Sequence, residues 1–444
     1  MNSRDKANPF NINNNFKGYL DYKTNVSTTP AHVYFDIIIS NRNGTSIPPK
    51  QITYFEMRNS SYLDCPQDYY LAICRFSLDT PSLPVFIPTI DLTNSGNFNP
   101  VQDVAQPTIY SITLTYTDVL NSKSYAGSQI FINWIPQFKN ASLPQNTPTI
   151  QDLKTPYYYC YSYQWFITLI NIAFKEAFDS LKSVVASDGV TLPVDNPPFM
   201  SWNIAEGTAI INTDIGTEAG GFLTTSLDGD AITIGNTSYA NYSPINIYFN
   251  NALFDIFNSF IAYEIGYGAT TVVDGLEING GNIQIPIITY SGQNVIQQPI
   301  DAFNAGTGGT TYSCAQTFQE FSTVPMMNPV CSIVFTSNVL NVLPTNVATP
   351  YIYNGDTVIS QSNNANISKI ITDFQSTNGQ YRSFIHYSPN IYRLIDLQGN
   401  APISDLNLSV FWKGKDGTDH PLYLVSGASC SIKIMFVLKD HIAQ

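Results

Sequence analysis

The sequence predicts an all-β protein built as a β-sandwich. Short runs of β-branched and aromatic residues recur along most of its 444 residues, and Gly, Pro and Asn bound them, which is typical of strands joined by turns. Only one long stretch has the apolar spacing of an amphipathic helix. Because strands and helices do not alternate along the chain, the pattern disfavours an α/β enzyme.

The predicted strands form an early series and a later series. The early strands lie near 33–40, 52–57, 69–78, 108–117 and 129–134. The later strands lie near 231–234, 245–249, 283–289, 330–336, 392–397, 406–412, 421–424 and 429–438. The clearest hairpin spans 406–424, with Asp416 and Gly417 at its tip, where a primed turn would give Gly417 a positive φ.

One long helix is predicted over 162–184. Its apolar residues recur at spacings of three and four, so they form a single face that packs on a sheet. Ser162 is the expected N-cap, and the turn residues 187–189 end the pattern. A second, short helix is expected within 251–260. Neither helix carries the residues of a catalytic constellation.

Roughly twenty short strands with one or two helices fit a jelly-roll β-sandwich. Two arrangements are open: one jelly roll enlarged by an insertion that carries the helix, or two jelly rolls in tandem. A similarity between 69–88 and 328–345 favours the tandem arrangement. The predicted divisions are an extended N-terminal arm 1–29, an N-terminal jelly-roll part 30–120, an insertion or second β unit 121–300, and a C-terminal jelly-roll part 301–444.

Charge is scarce, which excludes several classes of protein. Charged residues make up 12%, the net charge is −13, and 28 Tyr and 26 Phe accompany many Asn. Such a surface is typical of subunit interfaces or of carbohydrate-facing β proteins. Without a basic run, we expect no sequence-specific nucleic-acid binding. Without 18 consecutive apolar residues or a signal peptide, and with six scattered Cys, we expect no membrane span and synthesis in a reducing cytosol.

Metal-binding and phosphate-binding signatures are missing from the sequence. None of the four His has a second His at ligand spacing, and Cys65 and Cys74 lack the partner cysteines of a zinc site. The glycine-rich 306–310 lacks the Lys-Ser/Thr of a phosphate-binding loop. We therefore predict no metal and no cofactor.

Two carboxylate pairs are close in sequence, Asp228 with Asp230 and Asp416 with Asp419. A glycosidase needs two carboxylates that face each other across a groove, and the same stretches could bind Ca²⁺. Solvated carboxylates at hairpin tips explain both pairs more simply. We therefore predict that the protein is not an enzyme and propose no catalytic residues.

Several segments resemble capsid proteins of virophages and Polinton-like viruses. The similarity lies in the order and residue composition of several short segments spread along most of the chain. These segments are 33–41, 65–88, 157–178, 244–260 and 392–436. The resemblance implies a jelly roll, either in a penton protein at the vertices or in a double-jelly-roll major capsid protein of the shell. The enlarged middle, about 120–300, resembles the insertion of adenovirus-like penton proteins.

The expected function is therefore that of a structural protein of an icosahedral double-stranded DNA virus capsid. The leading interpretation is a penton protein that forms a homopentamer and contacts other capsid proteins in a virion assembled in the host cytoplasm or nucleus. One alternative is a double-jelly-roll major capsid protein that forms trimers. Another is a virion attachment protein that binds carbohydrate through exposed Trp134, Trp202 or Trp412, although Trp412 alternates with Val410 as a core residue would.

Overall fold

The structure is a computed structural model that describes most of the chain from Pro30 onward. The described residues are 30–43, 49–93, 106–118, 121–148, 150–216, 221–224, 232–234, 237–239, 245–266, 270–273, 275–288, 294–299, 311–343, 345–346, 351–354, 357–360, 367–375 and 384–442. The predicted arm 1–29, the pair of Asp228 and Asp230, and the glycine-rich 306–310 lie outside these residues.

The described residues are mainly strands, as the sequence predicts. The strands are β1 His32–Ser40, β2 Lys50–Gln51, β3 Thr53–Met57, β4 Tyr69–Asp79, β5 Gln106–Asp118, β6 Lys123–Ala126, β7 Ile130–Trp134, β8 Phe199–Asn203, β9 Thr208–Asp214, β10 Leu223–Thr224, β11 Ile232–Ile234, β12 Thr237–Tyr239, β13 Ile245–Phe249, β14 Tyr263–Glu264, β15 Thr270–Val273, β16 Leu276–Asn279, β17 Ile283–Ile285, β18 Ile287–Ile288, β19 Val295–Pro299, β20 Thr311–Phe318, β21 Val330–Thr336, β22 Thr345–Asn346, β23 Tyr351–Asn354, β24 Thr357–Ser360, β25 Ile367–Ser368, β26 Ile370–Phe374, β27 Phe384–Tyr387, β28 Ile395–Asp396, β29 Asp405–Gly414, β30 Asp419–Pro421, β31 Tyr423–Leu424 and β32 Ser429–Leu438. The α-helices are α1 Tyr163–Ser187, α2 Asn251–Ile256, α3 Val324–Met327 and α4 Lys439–Ile442. Two 3-10 turns cover Pro66–Asp68 and Pro156–Tyr158.

Eight of these strands form two antiparallel sheets that enclose one core. Sheet 1 has the order β1-β32-β4-β27, and sheet 2 has the order β3-β29-β21-β26. In chain order, the first, third, sixth and eighth of the eight strands lie in sheet 1, and the others lie in sheet 2. This is the strand order of a jelly roll. The prediction of a jelly-roll β-sandwich is therefore confirmed.

The second β unit is nested inside the jelly roll. Residues 80–329 leave sheet 1 at the end of β4 and return to sheet 2 at the start of β21. Of the two predicted arrangements, one jelly roll enlarged by an insertion is therefore correct and the tandem arrangement is wrong. The similarity between 69–88 and 328–345 marks two central strands of the same jelly roll rather than a duplication.

The jelly-roll core follows from strict alternation along its strands. In β29, Leu406, Leu408, Val410 and Trp412 point inward and are each 1% exposed, while the residues between them are half-buried. Burying one large apolar side chain contributes about 1.5–3 kcal/mol, so a row of this kind fixes the register of the strand. The prediction that Trp412 lies in the core is confirmed.

The insertion has its own sheets and its own core. Its larger sheet has the order β14-β17-β13-β5-β6, with β7 also paired to β5, and its smaller sheet has the order β19-β20-β9-β8. Helix α1 packs on this unit through fully buried side chains that include Phe166, Phe174 and Leu181. Asn171 of α1 also bonds the backbone of Met200 in β8, donating from Nδ2 to its carbonyl at 2.8 Å and accepting from its N–H at 2.7 Å.

The predicted helix over 162–184 is confirmed with small shifts at its ends. The helix begins at Tyr163, directly after Ser162, and extends to Ser187. It ends there because Gly189 follows with φ +73°, a conformation that a helix cannot continue. The second predicted helix is shorter than 251–260, because α2 ends at Ile256.

Three predicted strands differ from the observed ones. The run 283–289 is divided into β17 and β18 at Pro286, which has no N–H to donate to a ladder. The run 392–397 contains only the two-residue β28, and 421–424 contains the end of β30 and the two residues of β31. In each case the predicted segment contains strand residues, but their pairing with neighbouring strands is interrupted.

Aromatic residues join the insertion to the jelly roll. Tyr159, which belongs to the insertion, lies in the jelly-roll core with its ring 5.6 Å from that of Trp412. The imidazole of His420 stacks on Trp412 at 4.0 Å, and its Nδ1 lies 3.4 Å from the Tyr159 hydroxyl. Burial lowers the pKa of His420, and Lys154 adds to this effect, whereas the Asp416 carboxylate opposes it.

The hairpin around Gly417 allows a test of turn chemistry. Gly417 has φ +78°, as expected, but Asp416 does not have a positive φ, so the turn is not primed. Gly417→Val places a β-branched residue in the left-handed region, at a cost of about 1–2 kcal/mol, and should lower the melting temperature. Gly417→Asn is the control, because Asn tolerates this region. Equal melting temperatures for both variants and the wild type would contradict the assignment of a left-handed conformation to Gly417.

The lowered pKa of His420 predicts a loss of stability in acid. The ordinary pKa is 6.5, so the contribution of neutral His420 is complete above that pH and is lost as the pH falls from there through the lower pKa of the folded state. His420→Gln should therefore flatten the pH dependence of the melting temperature between about pH 7 and 5. His386→Gln, which changes an exposed imidazole bonded to Ser77, is the control. Parallel pH profiles for wild type and His420→Gln would rule out this role.

Candidate functional site

Asp416, one of the two carboxylates of the predicted hairpin, stabilises the turn. Asp416 accepts hydrogen bonds from the backbone N–H of Thr418 at 3.1 Å and from its hydroxyl at 2.6 Å. Asp419 lies in β30 opposite Lys413, and burial raises the pKa of its carboxyl. These contacts give Asp416 a structural role in the turn, as expected for a carboxylate at a hairpin tip. The pair of Asp228 and Asp230 lies outside the described residues.

The three tryptophans considered for a sugar platform lie mostly inside the protein. Trp134 is 0% exposed and its Nε1 donates to the carbonyl of Tyr157 at 3.1 Å, while Trp412 is 1% exposed. Trp202 is half-buried and stacks on Tyr163 at 4.7 Å. The structure therefore does not bring these three indoles together on one surface.

Metal-binding clusters and membrane helices are not found within the described ranges. There, no three His, Cys, Asp or Glu side chains converge on a position that could hold a metal ion. None of the helices described is both long enough and apolar enough to cross a membrane. The surface features that stand out are exposed apolar side chains, which are the usual mark of protein contacts.

The outer side of sheet 1 carries the first of these surfaces. Tyr34 and Ile38 project from the edge strand β1, and Ile38 is 74% exposed. Asp36 lies between them and pairs with Arg75 at 3.4 Å and with Lys433 at 3.7 Å. We call these five residues the sheet-1 face.

This outer side is more apolar than a solvent-facing sheet needs to be. Ala72 and Cys74 of β4 and Met435 and Val437 of β32 form a small buried cluster there, on the side opposite the jelly-roll core. An outward-facing side of an antiparallel sheet is ordinarily polar. This part of the outer side is already covered within the single chain, by neighbours that include Tyr70.

The outer side of sheet 2 carries the second apolar surface. Phe55 and Met57 project from the edge strand β3 and are 61% and 65% exposed. Phe55 pairs with Asn407, whose side-chain oxygen accepts a hydrogen bond from the N–H of Val339 at 3.1 Å. Exposed Val339 therefore lies beside Phe55. Phe55, Met57 and Val339 form the sheet-2 face.

A cavity adjoins the sheet-2 face. Its volume is about 260 Å³, and Val339, Asn341, Gln398 and Asp405 are among the residues that line it. Asp405 pairs with Met57 in the sheet, so the mouth of the cavity lies next to an exposed apolar side chain. A cavity of this size and mixed polarity could accept one or two side chains of a neighbouring protein.

The sandwich edge between β1 and β3 is closed by an aromatic and charged cluster. The Arg58 guanidinium lies 5.7 Å from the ring centre of Phe35 and 4.7 Å from that of Tyr62. Its Nε donates to Glu56 at 2.8 Å, and the Tyr54 hydroxyl donates to the same carboxylate. Burial, together with Glu56, raises the pKa of Tyr54 to about 12. This cluster covers a pair of strand edges that would otherwise expose the core.

A third surface, the insertion patch, lies where three connections of the insertion meet. It comprises Ile204, Ile261, Phe318, Phe321 and Met326, which are 47–76% exposed. The Ser259 hydroxyl donates to the carbonyl of Phe321 at 2.6 Å, and the Ser322 hydroxyl donates to that of Gly207 at 2.7 Å. These bonds hold the three connections against one another.

The sequence contained a partial signal for these surfaces. Phe55 and Met57 alternate with Tyr54 and Glu56, but alternation alone does not say which set points to solvent, because both contain an aromatic residue. The insertion patch comes from three segments that are distant in sequence, so no local pattern indicates it.

The fold and these surfaces define a jelly-roll protein with several apolar surfaces suited to assembly. A model of the Sputnik minor capsid protein V18/19 family matches residues 33–438. The chain belongs to this family, so it is a structural protein of a virion capsid that assembles with other capsid proteins.

Two relatives come from Sputnik virophage. The uncharacterized protein V18 is 32% identical over 168 residues, which are 36% of this chain and 89% of V18. The structural protein V19 is 28% identical over 204 residues, which are 45% of this chain and 83% of V19. The predicted resemblance to virophage capsid proteins is confirmed.

Two solved structures are similar to this one. A chain of the cryo-EM structure of Sputnik virophage aligns with a TM-score of 0.66 and 23% identity, over 94% of this chain and all of that chain. The mavirus penton protein aligns with a TM-score of 0.49 and 17% identity, over 92% of this chain and 99% of that one. The Sputnik chain shares the fold described above.

The sheet-2 face predicts an assembly defect without a folding defect. Phe55→Ser with Met57→Ser should change the free energy of unfolding by less than about 1 kcal/mol, because both side chains are largely exposed. Self-association should weaken at least about tenfold, because each side chain contributes about 1.5–3 kcal/mol once buried. Sedimentation velocity measures the association and thermal unfolding measures the fold. Ile150→Ser, at a site that is 59% exposed, is the control, and unchanged association of the double variant would exclude this face.

Proposed function

We propose that this capsid protein is the vertex, or penton, protein and forms a homopentamer. The observation that carries the proposal is the single jelly roll in each chain, with a nested insertion instead of a second jelly roll. A shell capsomer that mimics six units with three chains requires two jelly rolls per chain. A ring of five needs only one.

The positions of the two faces support a ring. The sheet-1 face and the sheet-2 face lie on the outer sides of different sheets, so they are on opposite sides of the sandwich. A ring forms when one surface of each subunit meets a different surface of the next subunit. Two opposite apolar surfaces meet this requirement, whereas a single surface would favour a twofold dimer.

We further propose a division of labour within the chain. The two hydrophobic cores support a jelly roll formed by residues 31–83 and 328–438, and an insertion formed by 84–327. Both boundaries of the insertion would then differ from those predicted from the sequence, which divides the chain into 30–120, 121–300 and 301–444. The jelly roll would form the ring, and the insertion would extend from one end of it.

The proposed role is purely structural and requires no catalysis. The turn role of Asp416 supports this proposal, as does the burial of the tryptophans considered for glycan binding. Assembly would take place inside the host cell, in the cytoplasm or the nucleus, which agrees with the free cysteines of the described chain.

The solution mass tests the proposal. Five chains of 49.2 kDa give about 246 kDa, and we expect this mass by light scattering, together with fivefold views in negative-stain images of the same peak. A mass of about 148 kDa, for three chains, would support the major capsid alternative. A monomer at every concentration, also in the presence of other capsid proteins, would refute the ring.

A further inference from the structure

We propose that the N-terminal segment 1–29 of one subunit docks on the insertion patch of the neighbouring subunit. This inference rests on the proposed ring, because it requires an adjacent copy. It assigns an occupant to the five exposed apolar side chains of the insertion patch. Three features carry it: the rim of the patch, the composition of the segment, and the place where the segment joins the sandwich.

The apolar centre of the patch has an acidic rim. Glu206 and Glu320 border it, because Glu206 precedes the Gly207 carbonyl that accepts from Ser322, and the Glu320 N–H donates to the Ser259 carbonyl at 3.0 Å. These two carboxylates are exposed and take part in none of the ion pairs formed among the described residues.

The ammonium of Lys415 lies beside the patch and is engaged by its backbone. The Lys415 ammonium donates to the carbonyls of Pro325 and Met326, both at 2.9 Å, at the end of helix α3. Burial lowers the pKa of Lys415, and its hydrogen bonds point to backbone oxygens instead of the rim carboxylates. The patch therefore suits an occupant that brings apolar side chains together with positive charge.

Segment 1–29 has this composition. It contains four basic and two acidic residues, for a net charge of +2, whereas the rest of the chain carries −15. Within it, residues 16–23 read FKGYLDYK, in which Phe16, Tyr19 and Tyr22 are interleaved with Lys17 and Lys23. Aromatic anchors flanked by lysines complement an apolar surface with an acidic rim.

The point where the segment joins the sandwich directs it toward a neighbour. Ala31 is fixed to sheet 1, since its carbonyl accepts from the N–H of Leu438 at 2.9 Å. Strand β1, which follows directly, carries the sheet-1 face, so the segment leaves the fold beside a proposed subunit contact.

The segment and the insertion leave the jelly roll at opposite ends. His32 pairs with Val437 at one end of sheet 1, while Ser40 and Asp79 lie at the other end, from which the insertion departs. Strand β1 spans about 27 Å between these ends. A chain of 29 residues reaches up to about 95 Å when extended, so it can run along a neighbouring sandwich as far as that subunit's insertion.

Disulfide trapping in the full-length chain tests the inference. Tyr19→Cys combined with Phe321→Cys should form intersubunit disulfides under mild oxidation, visible as a ladder of up to five linked chains on a non-reducing gel. The linked fraction should exceed that of each single variant at least about tenfold, because docking raises the local concentration of the two thiols. The single variants also control for the exposed native Cys65 and Cys331.

Position and charge controls make the test specific. Tyr19→Cys with Ile391→Cys places the second thiol at a residue that is 87% exposed but lies outside the patch, and it should give no ladder. Adding Glu320→Lys to the trapping pair should reduce the linked fraction several-fold, and adding Lys17→Glu as well should restore it. A ladder insensitive to both charge changes would overturn the electrostatic basis of the docking.

The outcomes separate this inference from the proposed ring. A pentamer by light scattering without a ladder would overturn the docking and leave the ring intact. Disulfides formed only within single chains would overturn docking on a neighbour. A ladder that stops at three chains would support the docking and refute the pentamer.

Discussion

The contact of Tyr159 with Trp412 and His420 ties together the two halves of this protein. The jelly roll cannot close its core at this end without a side chain from the insertion, because Tyr159 completes the cluster around Trp412. The insertion is likewise held at Pro325 and Met326 by Lys415 of the jelly roll. Each unit therefore supplies a part that the other lacks, and this limits how far the insertion can move relative to the sheets of the jelly roll.

The three exposed apolar surfaces explain why the chain contains so few charged residues. A sheet that faces water can be protected by charged side chains, but here the outer sides of both sheets expose aromatic and aliphatic residues. The few ion pairs on the sheet-1 face surround apolar positions instead of replacing them. Such a protein gains solubility from its amide and hydroxyl groups and keeps large areas available for contact with other subunits.

The elements that the sequence predicted well are those fixed by local pattern. Strands 245–249, 330–336 and 429–438 were predicted with their observed bounds, and the long helix was found within three residues at its C-terminal end. In these segments, apolar alternation or helical spacing is uninterrupted, so local propensity and tertiary packing agree. The fold class followed from the same patterns, and the class of protein followed from the resemblance to known capsid proteins.

The elements that the sequence did not predict depend on pairing between distant residues. β5 reads as a strand, but nothing local shows that it pairs with β13 in the insertion instead of joining the jelly roll. The nesting of the insertion inside the jelly roll was not predicted for the same reason. The sequences of β4 and β21 resemble each other, so they could equally belong to two separate units. The apolar surfaces were also not predicted from the sequence, because the side of an edge strand that faces solvent is set by partners elsewhere in the chain.

The insertion is attached through the middle of both sheets. β4 is bonded on one side to β32 and on the other to β27, and β21 lies in the same way between β29 and β26. A force applied to the insertion would therefore pull on two strands that are each held along both flanks. To extract either strand, two ladders must shear together instead of opening one bond at a time. The insertion can thus bear tension while the two sheets that hold its ends remain folded.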